Sequence, residues 1–158
     1  MEPIEMLLAI EEIKKLKARY FQRLDAKDWE GLANLFTADA VIDYSGHPRD
    51  LMEHHGRNDI TPAPEDWVFI GGKAAVSFLS PLLADVISVH HGHDPQVTIT
   101  GADSATGFWS LYDRLEFASE VYHGYGHYQE VYRLEGGRWL ISGLVLTRQR
   151  SAFAPKPI

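Results

Sequence analysis

The chain has 158 residues, a hydrophobic fraction of 45% and a formal net charge of −7. This length suits one domain, since cores of about 100 to 200 residues usually stay undivided, and we expect a single domain over residues 1–158. The acidic balance disfavours non-specific nucleic-acid binding, which needs clustered Lys and Arg. Cysteine is absent, which excludes disulfides, thiol nucleophiles and cysteine-based metal sites.

No targeting or membrane segment is visible in the sequence. The first residues, Met1 to Glu5, have no basic region followed by an apolar one. The apolar stretches are far shorter than the ~20 residues of a membrane-spanning helix. We therefore expect a cytoplasmic protein that does not interact with a membrane.

The first third of the chain has the pattern of an amphipathic helix that begins at Pro3. Apolar residues recur at spacings of three and four from Leu7 to Leu24, and Tyr20 is one of them. Charged residues, Lys17 among them, are assigned to the opposite side of this helix.

Two further helices are predicted from shorter signals. Asp28 is placed to cap a second short helix over Trp29 to Phe36. A third helix is predicted from Gly72 to about Leu79, ending near Pro81.

The second half of the chain has the pattern of long strands. Helices followed by a meander of strands predict an α+β fold, with N-terminal helices packed on a mainly antiparallel sheet. A strongly curved sheet around one helix layer forms a cone with an interior pocket. The predicted strands are Ala40 to Tyr44, Gln96 to Thr100, Ser104 to Phe117, about Gly124 to Leu134, and Trp139 to about Arg150.

The segment Ser45 to Phe69 follows neither a helical nor a strand period and contains three prolines and three histidines. Loops this long are uncommon in compact domains and often act as lids or binding loops. A disordered surface insertion is the alternative interpretation, and the sequence leaves both open.

One charged residue, Asp113, lies on an otherwise apolar face of the strand predicted from Ser104 to Phe117. If that face lines the interior, Asp113 is a buried carboxylate, and buried charge is tolerated only when it is paired or hydrogen-bonded. Asp113 is therefore a candidate catalytic residue with Arg148 or His90 as its expected partner. The alternative is a purely structural ion pair.

Asp25 closes the first helix, where the negative end of the helix dipole disfavours a carboxylate. A turn aspartate that serves only the loop before Asp28 would give the same pattern. Tyr20 lies five residues earlier, about 140° away on an ideal helix. The two side chains can face one cavity only if the helix unwinds near Asp25.

Three histidines lie close together at His90, His91 and His93. Neighbouring residues of an extended segment point to opposite faces, so His90 and His91 are unsuited to sharing one metal ion. We expect no metal site here and one inward-facing histidine that acts as an acid or base.

Several other polar side chains could contact a bound substrate or could belong to the core. Arg148 shares a strand face with apolar residues, which would direct it inward, although an arginine at a strand end can equally lie in solvent. The candidate substrate-binding residues are Tyr44, Trp109, His127, Tyr128 and Arg148.

These residues lie in short motifs that together resemble the SnoaL-like proteins, in the branch that includes scytalone dehydratase and the bile-acid 7α-dehydratases. The resemblance covers most of the chain except Ser45 to Phe69. It is carried by Leu24-Asp25-Ala26-Lys27-Asp28-Trp29-Glu30-Gly31-Leu32, Leu35-Phe36, Asp39-Ala40-Val41, Ile42-Asp43-Tyr44, His90-His91-Gly92-His93-Asp94-Pro95, Gly107-Phe108-Trp109-Ser110-Leu111-Tyr112-Asp113, Gly126-His127-Tyr128 and Leu146-Thr147-Arg148.

The resemblance implies a cofactor-independent lyase of the dehydratase type that acts on a small hydrophobic substrate. Tyr20, Asp25 and His90 match the residues that face one another in that branch. Tyr44 matches a second pocket tyrosine. Trp109 stands where scytalone dehydratase has another pocket histidine, which makes scytalone itself an unsuitable substrate.

The same fold also hosts ketosteroid isomerases and non-catalytic proteins that bind small ligands, so resemblance of fold does not decide among these functions. The dehydratase branch implies a trimer and the isomerase branch implies a dimer. We therefore expect a homo-oligomer, with the outer sheet face around Phe108 and Tyr112 as the contact surface.

Overall fold

A computed structural model describes residues 2–46 and 66–156, in which helices pack against one six-stranded sheet. The strand order is β2-β1-β6-β5-β4-β3, and every neighbouring pair is antiparallel except β1 and β6, which are parallel. The α+β prediction is confirmed, and the sheet is mixed and not closed. The elements are α1 (Pro3–Ala26), α2 (Trp29–Ala33), α3 (Gly72–Leu83), β1 (Phe36–Gly46), β2 (Val68–Ile70), β3 (Ile87–Ile99), β4 (Ser104–Glu116), β5 (Glu120–Glu135) and β6 (Arg138–Pro155).

Helix α1 begins at Pro3, as predicted, and its first turn is closed by a capping box. The backbone N–H of Glu2 donates to the Glu5 carboxylate at 2.8 Å. The helix ends at Ala26, and Lys27 caps it in the left-handed conformation with φ 61°. Asp25 therefore lies within the last turn, and the unwinding that would turn Asp25 toward Tyr20 is not observed.

The other helices differ from their predicted lengths. Asp28 caps α2 by accepting a hydrogen bond from the Gly31 N–H at 3.0 Å. Helix α2 ends at Ala33 rather than Phe36, because Phe36 already pairs with β6 as the first residue of β1. Helix α3 continues through Pro81 to Leu83, although Pro81 has no N–H to donate to the carbonyl of Ser77.

The sheet extends beyond the predicted strands at both of its edges. Strand β3 begins at Ile87, so the three histidines lie within a strand, and a bulge interrupts it between His93 and Gln96. Strand β2 and the end of β1 fall inside the segment predicted as a loop. Residues 47–65 of that segment, interpreted from sequence either as a lid or as a disordered insertion, lie outside the described residues.

Lys17 is fully buried, which contradicts its assignment to the exposed side of α1. Its ammonium forms an ion pair with Glu130 of β5, whose side chain is also buried, and lies 3.5 Å from the centre of the Tyr128 ring. The reason is geometric: Lys17 is four residues from Ile13 and three from Tyr20, so it belongs to the stripe that packs on the sheet. This pair joins α1 to the inner face of the sheet.

We predict that Lys17→Met will lower the free energy of unfolding by about 3 to 5 kcal/mol, because it leaves Glu130 as a buried charge without its cation. Urea denaturation measures the loss. The control is Lys14→Met on the same helix, where a half-exposed pair with Glu11 is lost and about 0 to 1 kcal/mol is expected. Equal losses for the two variants would contradict the burial of this pair.

Candidate functional site

The inner face of β4 carries the buried carboxylate that the sequence predicts. Alternate residues of the strand are buried, and Asp113 is 0% exposed. The neighbours of Asp113 on this face are Ala105, Gly107, Trp109, Leu111 and Leu115.

Asp113 forms an ion pair with Arg148 of β6, whose guanidinium donates to Oδ2. Strand β5 lies between them, and it carries glycine at both intervening positions, Gly124 and Gly126. A Cβ at Gly124 would lie 2.6 Å from the Arg148 Nη1, so the missing side chain makes room for the guanidinium. Burial works against the charge of Arg148, but the Asp113 carboxylate outweighs it and raises the Arg148 pKa above its ordinary value.

Asp25 and His90 form a hydrogen-bonded dyad between the end of α1 and strand β3. The Nδ1 of His90 lies 2.6 Å from the Asp25 Oδ1, and the His90 backbone N–H donates to Oδ2 at 2.9 Å. The His90 side chain is 8% exposed and the Asp25 side chain 25%. The predicted contact between these residues is therefore present.

The hydrogen bonds around Asp25 keep its carboxylate ionised. Burial opposes ionisation, but hydrogen bonds from the His90 ring and backbone and from the Ser88 hydroxyl outweigh it and lower the pKa of Asp25. An ionised carboxylate can only accept hydrogen bonds, so the neutral His90 ring must carry its proton on Nδ1. Its Nε2 then has a free lone pair and can accept a proton.

The dyad and the buried ion pair are neighbours on the inner face. His90 and Asp113 are directly opposite in the β3–β4 register, so their side chains leave the same face of the sheet. Asp113 Oδ1 is buried and has no hydrogen-bond partner among the described residues. Asp25, His90, Asp113 and Arg148 therefore form a row that runs from α1 across β3 and β4 to β6.

Tyr20, Tyr44 and Tyr128 form a second group inside the protein. The hydroxyls of Tyr20 and Tyr44 are 3.2 Å apart, and the Tyr20 and Tyr128 rings pack edge to face. Burial raises the pKa of all three phenols, so they are neutral hydrogen-bond donors at ordinary pH. Within the described ranges no hydrogen bond joins Tyr20 to Asp25 or His90.

A third buried group was missed by the sequence analysis and involves Trp109. Its indole N–H donates to the Tyr132 hydroxyl at 2.8 Å, and that hydroxyl donates to Glu130, the partner of Lys17. Burial lowers the Lys17 pKa despite the opposing effect of Glu130. Trp109 therefore has a structural role that its predicted part in substrate binding did not include.

His127 does not lie with the other candidate residues. It is on the outer face of β5, where its ring stacks on Phe108 with centroids 4.7 Å apart, while Tyr128 points inward. We leave His127 out of the site for this reason. Across residues 2–46 and 66–156, no three metal-binding side chains converge, and His91 and His93 are exposed.

An open cleft between α1 and β3 reaches His90 from the outside. Its volume is ≈ 570 Å³, and Phe21, Gln22 and Trp109 are among its lining residues. The cleft is large enough to admit small molecules to the histidine side of the dyad.

The fold and this arrangement can be compared with known proteins. The model of the SnoaL-like domain matches residues 5–145. The chain belongs to the SnoaL-like domain family. The family resemblance predicted from the sequence is thereby confirmed.

Solved structures with the same fold cover nearly the whole SnoaL-like chain. A variant of Rv3472 from Mycobacterium tuberculosis, a protein of unknown function, has 26% identity and a TM-score of 0.75, over 95% of this chain and 78% of that one. A candidate scytalone dehydratase from Novosphingobium aromaticivorans has 17% identity and a TM-score of 0.74, over 92% and 87%. Hexachlorocyclohexane dehydrochlorinase LinA-type3 from Novosphingobium barchaimii has 16% identity and a TM-score of 0.74, over 98% and 94%.

Among the described residues, no helix is both long enough and apolar enough to cross a membrane. The inner face of the sheet combines apolar packing with buried ion pairs.

We predict that Asp113→Ala will lower the free energy of unfolding by about 3 kcal/mol, because Arg148 would remain as a buried cation without its carboxylate. The denaturation midpoint in urea reports the change. Asp85→Ala, at an exposed aspartate, is the matched control and should have little effect. An unmoved midpoint for Asp113→Ala would contradict the paired, buried state of this residue.

Proposed function

We propose that the protein is a cofactor-independent lyase of the dehydratase type, acting on a small hydrophobic substrate that bears a carbonyl and a β-hydroxyl. The observation that carries this proposal is the Asp25–His90 hydrogen bond, which leaves His90 Nε2 as a proton acceptor beside the buried Asp113. General bases need this combination of a fixed tautomer and a largely dry surrounding.

The reaction begins with proton abstraction. His90 Nε2 takes the proton from the carbon next to the carbonyl, and the electron pair of that C–H bond moves toward the carbonyl oxygen. The imidazolium that forms lies between two carboxylates, Asp25 on Nδ1 and Asp113 on the opposite strand. Both carboxylates stabilise its positive charge.

The developing enolate needs neutral hydrogen-bond donors. Tyr20 and Tyr44 are suited to this, because burial keeps both phenols protonated and their hydroxyls already lie close together. Tyr128 packs beside Tyr20 and adds a third aromatic side chain to this group. Aromatic side chains of this kind favour a flat, largely apolar substrate.

Loss of the hydroxyl completes the reaction. The enolate collapses, a C=C bond forms and the C–O bond breaks, and the departing hydroxyl takes the proton back from His90 as water. We assign this proton return to His90 rather than Asp113, because the ion pair with Arg148 stabilises Asp113 as a carboxylate. Arg148 is then a group that orients the substrate oxygen near the pair.

The names of two structural neighbours support an elimination. One is a candidate scytalone dehydratase and the other is a hexachlorocyclohexane dehydrochlorinase. An isomerase would use the same base but return the proton to another carbon. Mass spectrometry separates the two, because only the lyase product lacks the mass of one water.

We predict that His90→Ala will lower turnover by about 10² to 10⁴-fold, the usual contribution of a general acid–base group. Cyclic β-hydroxy ketones and 3-oxo steroid-like compounds are the first substrates to assay. Asp25→Asn should be severely impaired as well, because an amide can favour the other imidazole tautomer. Tyr20→Phe should lose less, since it removes one hydrogen bond and leaves the base in place.

The control is His123→Ala, which removes a histidine on the outer face of β5, beside Tyr112, and should leave turnover unchanged. Activity should fall on the acid side of the profile, where the imidazole is protonated and cannot accept a proton. Full activity of His90→Ala on any substrate found would exclude His90 as the base.

We also propose that the protein self-associates through the outer face of its sheet. Ile70, Val41 and Val131 are exposed, and the register places them in one row across β2, β1, β6 and β5, with Gly143 between the valines. A continuous apolar row on a sheet face is suited to burial against a second copy. This row extends the contact surface predicted around Phe108 and Tyr112.

Light scattering over a range of concentrations should give a dimer or trimer mass. The double variant Val41→Lys/Val131→Lys should shift that mass toward the monomer, because it places two charges in the row. Ile87→Lys, at an equally exposed position off the row, should not change it. A monomer mass for the unmodified protein at every concentration would refute self-association.

A further inference from the structure

The Asp25 carboxylate holds a second set of contacts that the proposed mechanism does not use. The Ser88 hydroxyl lies 3.0 Å from Asp25 Oδ1, and the ammonium of Lys27 lies 2.7 Å from the Ser88 oxygen. Ser88 is buried and comes two residues before His90 on β3. Lys27, Ser88, Asp25 and His90 therefore form one continuous hydrogen-bonded chain.

Every hydrogen bond in this chain has only one possible direction. An ammonium donates and cannot accept, so the Ser88 oxygen accepts from Lys27 and its own O–H is directed to Asp25. The ionised carboxylate accepts both this O–H and the N–H on the Nδ1 of His90. The cation at one end thus supports the ionised carboxylate, and that carboxylate decides which ring nitrogen of His90 carries the proton.

The backbone at Lys27 is unusual for a lysine. It has φ 61° and ψ 26°, the left-handed conformation at a helix end where glycine is the usual residue. That conformation is disfavoured for a residue with a side chain. Burial lowers the pKa of Lys27, and the charge of Asp25 opposes this, so the ammonium interacts electrostatically with the dyad.

We infer that Lys27 and Ser88 are positioning residues that hold Asp25 as an ionised acceptor and thereby lock His90 in the tautomer with a free Nε2. The catalytic consequence of fixing the His90 tautomer rests on the proposed function. The fixing of the tautomer does not. Neither residue needs to touch a substrate. Both act through Asp25.

Other charged groups also surround the dyad and must be kept constant in a test. Asp113 lies opposite His90 on β4 and is paired with Arg148 of β6. Lys14 and Lys17 of α1 line the cleft that reaches His90. His91 and His93, on the same strand as His90, line it as well. The variants below change none of these groups.

The test is nuclear magnetic resonance of the full chain without any substrate. The ¹⁵N shifts of the His90 ring identify its tautomer, and the ¹³C shift of the Asp25 carboxyl follows its titration. In the unmodified protein we expect the form with the proton on Nδ1. Ser88→Ala and Lys27→Gly should each move the Asp25 titration to higher pH, because a hydrogen bond or a nearby cation that favours the carboxylate is lost.

At a pH where the His90 ring is neutral, the same two variants should raise the fraction of the other tautomer, because the Asp25 carboxylate is held less firmly against Nδ1. Lys27→Gly relieves the left-handed backbone, so a merely structural role predicts a gain in stability and no change in the ring. Lys27→Arg keeps a donor and a cation and should retain the locked tautomer. Lys15→Met removes an exposed cation elsewhere on α1 and is the charge control.

An unchanged Asp25 titration and an unchanged His90 tautomer in folded Ser88→Ala and Lys27→Gly would overturn the inference. If the tautomer responds but no substrate is turned over, the proposed function fails and the lock stands. Where a substrate is found, the acid limb of the kcat profile should move to higher pH in both variants with KM little changed. A change in KM alone would contradict a role in positioning the base.

Discussion

Charge buried on the inner face of the sheet must be neutralised inside the protein, and two ion pairs do this. Lys17 and Glu130 join α1 to β5, and Asp113 joins β4 to Arg148 of β6. Removing either partner of such a pair leaves the other as an unpaired charge in the protein interior, where it is poorly solvated. The Lys17–Glu130 pair therefore favours one position of the helix on the sheet, and the Asp113–Arg148 pair joins two strands of the face it packs on. The position of the helix decides which of its residues reaches the edge strand.

The dyad depends on this position of the helix because β3 is an edge strand among the described residues, where β4 is its one neighbouring strand. Its other side is held by α1, where Asp25 accepts both the backbone N–H and the ring N–H of His90. Close approach of the two elements also needs Gly92, since a Cβ there would lie 2.5 Å from the Phe21 ring. Backbone, ring and helix thus fix the imidazole together, as a general base requires.

The sequence predicts a buried charge where one polar residue interrupts an apolar strand face, and it does not predict the buried Lys17–Glu130 pair. Asp113 stands alone on an apolar strand face, and the same argument applied to β5 would have found Glu130 between Tyr128 and Tyr132. Lys17 lies four residues from Ile13 and so on the buried stripe of α1, but the usual preference of lysine for solvent predicts the exposed side of the helix.

Ser88 and Lys27 carry no signal in the sequence, because their contacts with Asp25 form only when the end of α1 packs against β3. The start of β3 was missed because Gly92, Asp94 and Pro95 are typical of turns, and a bulge accommodates the last two.

The surroundings of His90 combine opposing charges. The carboxylates of Asp25 and Asp113 lie beside the ring, and the cations of Lys27 and Arg148 offset each of them. Neither cation acts on the His90 ring directly. Lys27 acts through the Ser88 hydroxyl, and Arg148 acts through its ion pair with Asp113. The proposed mechanism requires His90 to accept and release a proton in one cycle, and carboxylates that are each partly neutralised suit that role.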